Sequence, residues 1–302
     1  MLLACSLAFV GRAQQPNTVP AARGMIKVAK VVGEVTVTDI ATTLKTKAAL
    51  NSLVFDGQIL ETGANASVVL VLSNGAIVNL KADSKLEVTQ FLQNPFGASF
   101  IVRDALHEPS TSVTKLFLRK GEIISQVKKL NRESGSSFTV ETPVGAAGIR
   151  GTAFSLSYLP VASVGRFTLA MAEGLIHFLP TSGRSVDISA GNQLQFSANI
   201  DARTGEVRSI PNNLAPTVLS GGGLADLQQS LSEALGAAIS VEFSPNSVGA
   251  GGQPPLGGVS AGNTAPTAAG EASPAPAESS TSALAAPPAT PPAQRTTPGD
   301  GQ

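Results

Sequence analysis

The sequence is poor in the residue types that most often carry chemistry. Its 302 residues include one cysteine, two histidines, one tyrosine and no tryptophan. The single cysteine, Cys5, excludes an intrachain disulfide. The histidines, His107 and His177, belong to no motif with metal-ligand spacing, so we expect no metal and no cofactor. The absence of tryptophan counts against a lectin-like site, because flat aromatic rings usually stack on sugars.

Charged residues are also scarce. They make up 14% of the chain, against about 25% in an average globular domain. The 21 basic and 21 acidic residues cancel. Because nucleic-acid binding needs a basic surface, this balance argues against a nucleic-acid partner. The longest basic clusters, Arg119-Lys120 and Lys128-Lys129, are only dipeptides, and we interpret them as solvated strand ends.

Catalytic motifs are missing as well. There is no Gly-x-Ser-x-Gly elbow and no phosphate-binding P-loop. The glycines at 145, 148 and 151 lack the close Gly-x-Gly pair and the following helix of a dinucleotide loop. Asp187 and Glu173 would suit glycoside hydrolysis only if they were paired, and nothing in the sequence places them together. We therefore predict that the protein is not an enzyme.

Residues 1–23 are predicted to be an export signal or leader. An apolar run over residues 2–10 precedes small residues that suit cleavage after Ala13. The run is too short for a membrane-spanning helix, which needs about 20 apolar residues. The segment ending at Cys5 also resembles a lipobox, so acylation of Cys5 is an alternative, and membrane attachment is expected only in that case.

Residues 24–212 are predicted to form an all-β domain. Short runs rich in β-branched and apolar residues alternate with turn dipeptides. The clearest hairpin signal is Ser73-Asn74-Gly75 between two apolar runs. No strict repeat length exists, so we expect a twisted, solenoid-like or sandwich-like stack of short hairpins rather than a regular β-helix.

The pattern changes after the β domain. Leucines at 224, 227, 231 and 235 predict an amphipathic helix within residues 220–240. Either the helix covers an open end of the sheet or it docks onto a partner. Residues 244–302 are rich in Pro, Ala, Gly, Ser and Thr and are predicted to be a disordered tail, since they can bury little apolar surface.

The most informative segment spans residues 138–156. It reads as a strand, a Thr142-Pro143 break, a small-residue linker, a corner over residues 149–152, and a second strand. The segment resembles the signature of the FecR-like domain family. The signature residues are Thr142, Pro143, Ile149, Arg150, Gly151, Thr152 and Phe154. Further family elements are matched, in order, by residues 57–63, 66–75, 118–123, 172–176 and 189–193.

Most signature residues have a structural interpretation. Pro143 lacks an amide hydrogen and should end strand pairing. Gly151 should supply a corner with positive φ or a close backbone approach. Ile149 and Phe154 should point into the core. Arg150 has two interpretations: it clamps a neighbouring turn through hydrogen bonds, or it contacts a partner.

The resemblance implies an extracytoplasmic, non-enzymatic β domain that engages proteins, in the periplasm or outside a bacterial cell. Well-known members of the family join this domain to a cytoplasmic anti-sigma segment and a membrane helix. Neither is visible here, so we expect a stand-alone secreted module in envelope signalling or assembly with an unidentified envelope protein partner. One alternative is a cell-wall or surface protein that binds glycan or peptidoglycan, and another is a hydrolase.

Overall fold

The computed structural model describes residues 22–245, and within them the chain is built mainly of strands. In chain order the strands are β1 (Ile26–Val32), β2 (Val35–Asp39), β3 (Lys45–Lys47), β4 (Leu53–Val54), β5 (Gln58–Thr62), β6 (Ser67–Leu72), β7 (Ile77–Leu80), β8 (Lys85–Gln93), β9 (Phe100–Ile101), β10 (Ser112–Gln126), β11 (Ser137–Thr142), β12 (Gly145–Ile149), β13 (Ala153–Val161), β14 (Val164–Glu173), β15 (Leu175–Pro180), β16 (Val186–Ser189), β17 (Asn192–Ile200), β18 (Val207–Ser209), β19 (Thr217–Val218) and β20 (Glu242–Phe243). A 3₁₀ turn covers Arg132–Ser134, and the helix α1 covers Gly221–Ala237.

The strands form two open sheets that share β10. The first sheet has the order β3-β2-β5-β8-β10-β11-β12-β15-β16. The second has the order β4-β1-β6-β7-β10-β13-β14-β17, and β18 and β19 both pair with β17. β10 pairs with β8 in the first sheet up to Lys120, and with β13 in the second sheet from Gly121 onward. Only the β10–β11 pairing is parallel among these ladders.

The main core lies between the two sheets. In the second sheet one row of apolar side chains crosses six strands in register, namely Val68, Leu80, Ile123, Leu156, Leu169 and Leu194. All six are fully buried. The first sheet contributes the row Val88, Leu116, Val140, Ala147 and Phe178 to the same cluster. The sandwich-like alternative of the predicted fold is therefore the one that the structure shows.

The hairpin predicted at Ser73-Asn74-Gly75 is confirmed as the β6–β7 turn. Gly75 has φ +86°, whereas Asn74 does not have a positive φ. Asn74 is instead buried, and its amide donates to the hydroxyls of Ser112 and Thr114, both at 3.1 Å. Its carbonyl accepts a hydrogen bond from the amide of Ala76 at 3.1 Å. The side chain thus ties the turn to β10.

The predicted helix is confirmed as α1, and it covers the outer face of the second sheet rather than a sheet end. The hydroxyl of Ser220 caps its first turn by accepting from the amide of Gly223 at 3.1 Å. Leu227 is buried against Ile124 and Ala170 of the sheet. Among residues 22–245, no helix is long and apolar enough to span a membrane.

Candidate functional site

The first half of the signature is a tight hairpin between β11 and β12. Thr142 pairs with Gly145 in the ladder, and Pro143 lies in the turn between them. The hydroxyl of Thr142 donates to the carbonyl oxygen of Gly145 at 2.9 Å. The amide of Thr181 donates to the carbonyl oxygen of Val144 at 3.0 Å. Because Pro143 has no amide hydrogen, the turn leaves no donor unpaired at this position.

The prediction of a small-residue linker after this turn is wrong, because residues 145–149 form strand β12. β12 pairs with β11 on one side and β15 on the other. Small residues are needed here for packing. A Cβ at Gly145 would lie 2.6 Å from the carbonyl oxygen of Leu179, and Ala147 is fully buried. Glycine and alanine have low strand propensity, which is why the sequence predicts a loop here.

The second half of the signature is a corner that leads from β12 to β13. Ile149 and Phe154 lie in the main core, at 3% and 0% exposure. Gly151 has φ +72°, and a Cβ there would lie 3.2 Å from the Cα of Lys129. Thr152 is 2% exposed, and its backbone oxygen accepts from the amide of Val127 at 2.9 Å. The corner is therefore held against the end of β10.

Arg150 differs from its neighbours in the signature because its side chain is exposed. Within residues 22–245 it makes no hydrogen bond, ion pair or ring contact. Among residues 22–245, the Arg150 side chain therefore holds no neighbouring turn. A fixed backbone corner presents its guanidinium to solvent.

A pocket of about 310 Å³ opens beside this corner. Its walls are residues 105–107, the chain that leaves β10 at 126–129, the corner residues Gly151 and Thr152, and Glu173 at the end of β14. The chain around residues 105–107 and the chain that leaves β10 are joined by backbone pairing. The amide of Glu108 donates to the carbonyl oxygen of Lys129 at 3.1 Å, and His107 forms a bridge with Lys129.

Three charged residues line this pocket: Lys128, Lys129 and Glu173. Burial lowers the pKa of Lys128, and the carboxylate of Asp104 opposes that shift. Asp104 is itself paired with Arg103 at 2.9 Å. Neither lysine forms an ion pair with any residue that the structure describes. The sequence predicts both as solvated strand ends; Lys129 is exposed, whereas Lys128 is half-buried. Both follow β10 and lie beside the signature corner at Gly151.

The remaining candidate residues lie apart from this pocket or on its rim. His177 is partly exposed on β15, and its Nδ1 lies 2.6 Å from Oδ1 of Asp187 on β16. Glu173 lines the pocket instead. Residues 22–245 contain no group of three His, Cys, Asp or Glu side chains that could hold a metal ion. Cys5, with most of the predicted leader and nearly all of the predicted tail, lies outside the described residues.

The fold and the signature define an all-β domain in which Arg150 is the exposed residue of the corner over residues 149–152. Residues 58–177, from the start of β5 into β15, match the sequence model of a family described as FecR protein. The resemblance to this family read from residues 138–156 is therefore confirmed. Proteins of this kind are components of envelope signalling.

Comparisons outside the family model add little. Two crystal structures of a candidate anti-sigma factor from Parabacteroides distasonis ATCC 8503 are similar at 13% identity and a TM-score of 0.34. Each match covers 51% of this chain and 59% of that chain, so this chain spans less than two thirds of that protein. A likeness this loose carries no argument about function. No curated protein matches the sequence.

Proposed function

We propose that the protein is a non-enzymatic FecR-like module, residues 24–212, that acts in envelope signalling or assembly by binding an envelope protein. The observation that supports this most directly is the position of Arg150. The other signature residues serve the hairpin, the corner or the core, whereas Arg150 stands exposed without a partner among the described residues.

An arginine in this position is well suited to a protein contact. Its guanidinium can hold a carboxylate through two parallel hydrogen bonds. Arginine is also enriched among the residues that dominate binding energy at protein interfaces. The corner around it is rigid, because Gly151 packs against Lys129 and the amide of Val127 bonds to Thr152. The backbone that carries Arg150 therefore does not have to be ordered on binding, and only the side chain loses freedom.

The test is a cross-linking pull-down of the tagged full chain from the native cell-envelope fraction, read by mass spectrometry. We expect one envelope protein to be recovered with the wild type and lost with Arg150→Ala. Arg166→Ala is the matched control, because Arg166 on β14 is also exposed and forms no ion pair with the described residues. Circular dichroism would establish that both variants are folded.

Two results would overturn the proposal. One is equal recovery with wild type and both variants, which would remove Arg150 from the contact. The other is recovery of no envelope protein while the domain sediments with purified wall polymer. That second result would favour the alternative of a surface protein that binds glycan or peptidoglycan.

We also propose that the chain is exported to the periplasm or the cell exterior, with residues 1–23 as the leader. The apolar run before Ala13 supports this. The intact mass of the protein from cell fractions tests it. A mature chain that begins after Ala13 is expected, a mass increase from an acyl group on Cys5 would indicate lipidation, and an uncleaved chain in the cytoplasm would refute export.

A further inference from the structure

The helix α1 is held on the second sheet by apolar contacts alone. Of its 17 residues, Leu227 and Ala234 are the buried ones. Leu227 packs in a cluster with Ile124 and Ala170, and Ala234 packs in a second cluster that includes Ile77. Within residues 22–245, no hydrogen bond and no ion pair joins α1 to a strand of either sheet. The attachment of α1 is therefore small and contains no directional contact.

The composition of α1 makes it a weak helix by itself. Its first three residues, 221–223, are glycines, and Gly236 lies in its last turn. Glycine is the least favourable residue in a helix apart from proline. The first turn has no acidic residue and the last turn has no basic one, so no charge complements the helix dipole. Because isolated short helices are marginal in water, α1 should unravel when it leaves the sheet.

The chain is anchored on both sides of α1. Before the helix, the amide of Leu219 donates to the carbonyl oxygen of Gly191 at 2.8 Å. After the helix, the amide of Val102 donates to the carbonyl oxygen of Val241 at 3.1 Å, and β20 pairs with β9. The contacts of α1 can therefore break while both of its ends stay in place.

A polar group without a partner lies on the sheet face that α1 covers. Asn79 of β7 is directly opposite Ile124 of β10, so the two side chains lie on the same face. The Asn79 side chain is 6% exposed, and its Oδ1 has no hydrogen-bond partner among the described residues. A buried amide oxygen without a donor is unfavourable, and water would satisfy it in an open state. This oxygen therefore favours opening.

We infer that α1 is a strap that lifts from the second sheet while both sheets stay folded, and that it controls access to the apolar face around Ile77, Ile124 and Ala170. Elements with few buried apolar contacts are those that open locally in native proteins. The inference goes beyond the proposed protein contact, because it uses neither Arg150 nor any partner.

The test is native-state hydrogen exchange of the full chain, followed by NMR at low concentrations of urea. We expect the amides of residues 225–237 to be protected at least about tenfold less than those of β10, because the opening of α1 leaves the sheets intact. Their exchange should depend little on urea, since local opening exposes little surface, whereas exchange in β10 should depend on it steeply.

Four variants make the result specific. Leu227→Ala should raise the open fraction more than about tenfold, since a buried leucine is lost. Gln228→Ala, at the exposed neighbouring position, should change it less than about twofold. Gly236→Ala should lower it about two- to fivefold, because the added Cβ meets no atom within 4 Å and alanine favours a helix. Asn79→Leu should also lower it, since the unpartnered oxygen is removed.

Thiol labelling by iodoacetamide measures the same opening independently. Ala170→Cys, made together with Cys5→Ser, places a thiol beneath Leu227. Val140→Cys in the same background places one in the main core as the control. We expect the thiol beneath α1 to react through local opening and the core thiol to react only through global unfolding.

The inference is overturned if residues 225–237 exchange with the protection and urea dependence of β10, or if the two thiols react at the same rate. It is also overturned if Gln228→Ala raises the open fraction as much as Leu227→Ala. If Leu227→Ala does not fold, Gly236→Ala and the two thiols decide the question. A failed pull-down leaves these measurements unchanged, so the strap and the proposed protein contact are decided separately.

Discussion

Replacing Gly145 by alanine is expected to destabilise the domain far more than the same replacement at Gly148 in the same strand. Gly145 has φ +155°, a value that residues with a side chain rarely adopt. An added Cβ would lie 2.6 Å from both the carbonyl oxygen of Leu179 and the ring of Phe178. At Gly148 the nearest atom to an added Cβ is the carbonyl oxygen of His177, at an ordinary contact distance of 3.6 Å.

The size of the difference follows from two terms. Holding an alanine in a sparsely populated backbone region costs about 1–3 kcal/mol. Overpacking against backbone that cannot move away costs about 1–3 kcal/mol more. Gly145→Ala should therefore lower the free energy of unfolding by about 2–6 kcal/mol, out of the roughly 5–15 kcal/mol typical of a domain. Gly148→Ala should change it by less than about 1 kcal/mol, because it also reduces the entropy of the unfolded chain.

Urea denaturation of the full chain, followed by circular dichroism, measures both values under one protocol. Thermal denaturation should show a loss of roughly 4–24 °C for Gly145→Ala, at about 2–4 °C per kcal/mol for a domain of this size. Equal costs at the two positions, or a larger cost at Gly148, would refute the reasoning. They would mean that β12 does not lie against β15 in the register described.

Three further predictions concern buried polar groups. Tyr158→Phe should raise the unfolding free energy by about 1 kcal/mol, because the hydroxyl is buried without a hydrogen-bond partner in the described structure; a loss would contradict this. Asn74→Ala should cost about 2–4 kcal/mol in the same assay, since three hydrogen bonds are lost in a buried site, whereas exposed Asn212→Ala should stay within about 0.5 kcal/mol. Burial raises the pKa of Glu108 above 4.5, so its contribution to stability is present below that pH and is lost as pH rises through the folded-state value. The difference in unfolding free energy between wild type and Glu108→Gln should therefore fall from acidic pH toward neutrality, and a difference that is constant or rises would count against it.

The sequence predicts those features whose causes are local. Asn74-Gly75 marks its hairpin because glycine readily adopts a positive φ, and the leucine spacing marks α1 because burial on one face needs that period. The exposure of Asn74 could not be judged in the same way. Its burial depends on the hydroxyls of Ser112 and Thr114 on β10, which are 38 and 40 residues further along the chain.

The features that sequence reasoning missed are set by contacts between distant strands. Residues 145–149 form a strand because they pair with β11 and β15 on either side. Glycine is required at position 145 because the backbone of β15 lies too close for a side chain. The pocket beside the signature corner could not be predicted, since it exists only where the end of β10 meets the corner at Gly151. Arg150 could be singled out from the family signature, but its exposure depends on how that corner packs.

The passage of β10 through both sheets has a consequence for how the protein folds and breaks down. Neither sheet is continuous without this strand, since each is divided into two halves that meet only through β10. Its partner strands lie both before and after it in the chain. Forming these pairings brings together residues that are far apart in sequence, which slows folding. One sheet cannot melt while the other persists. The domain should therefore unfold as a single cooperative unit. A single proteolytic cut within β10 should disrupt the strand pairing of both sheets together.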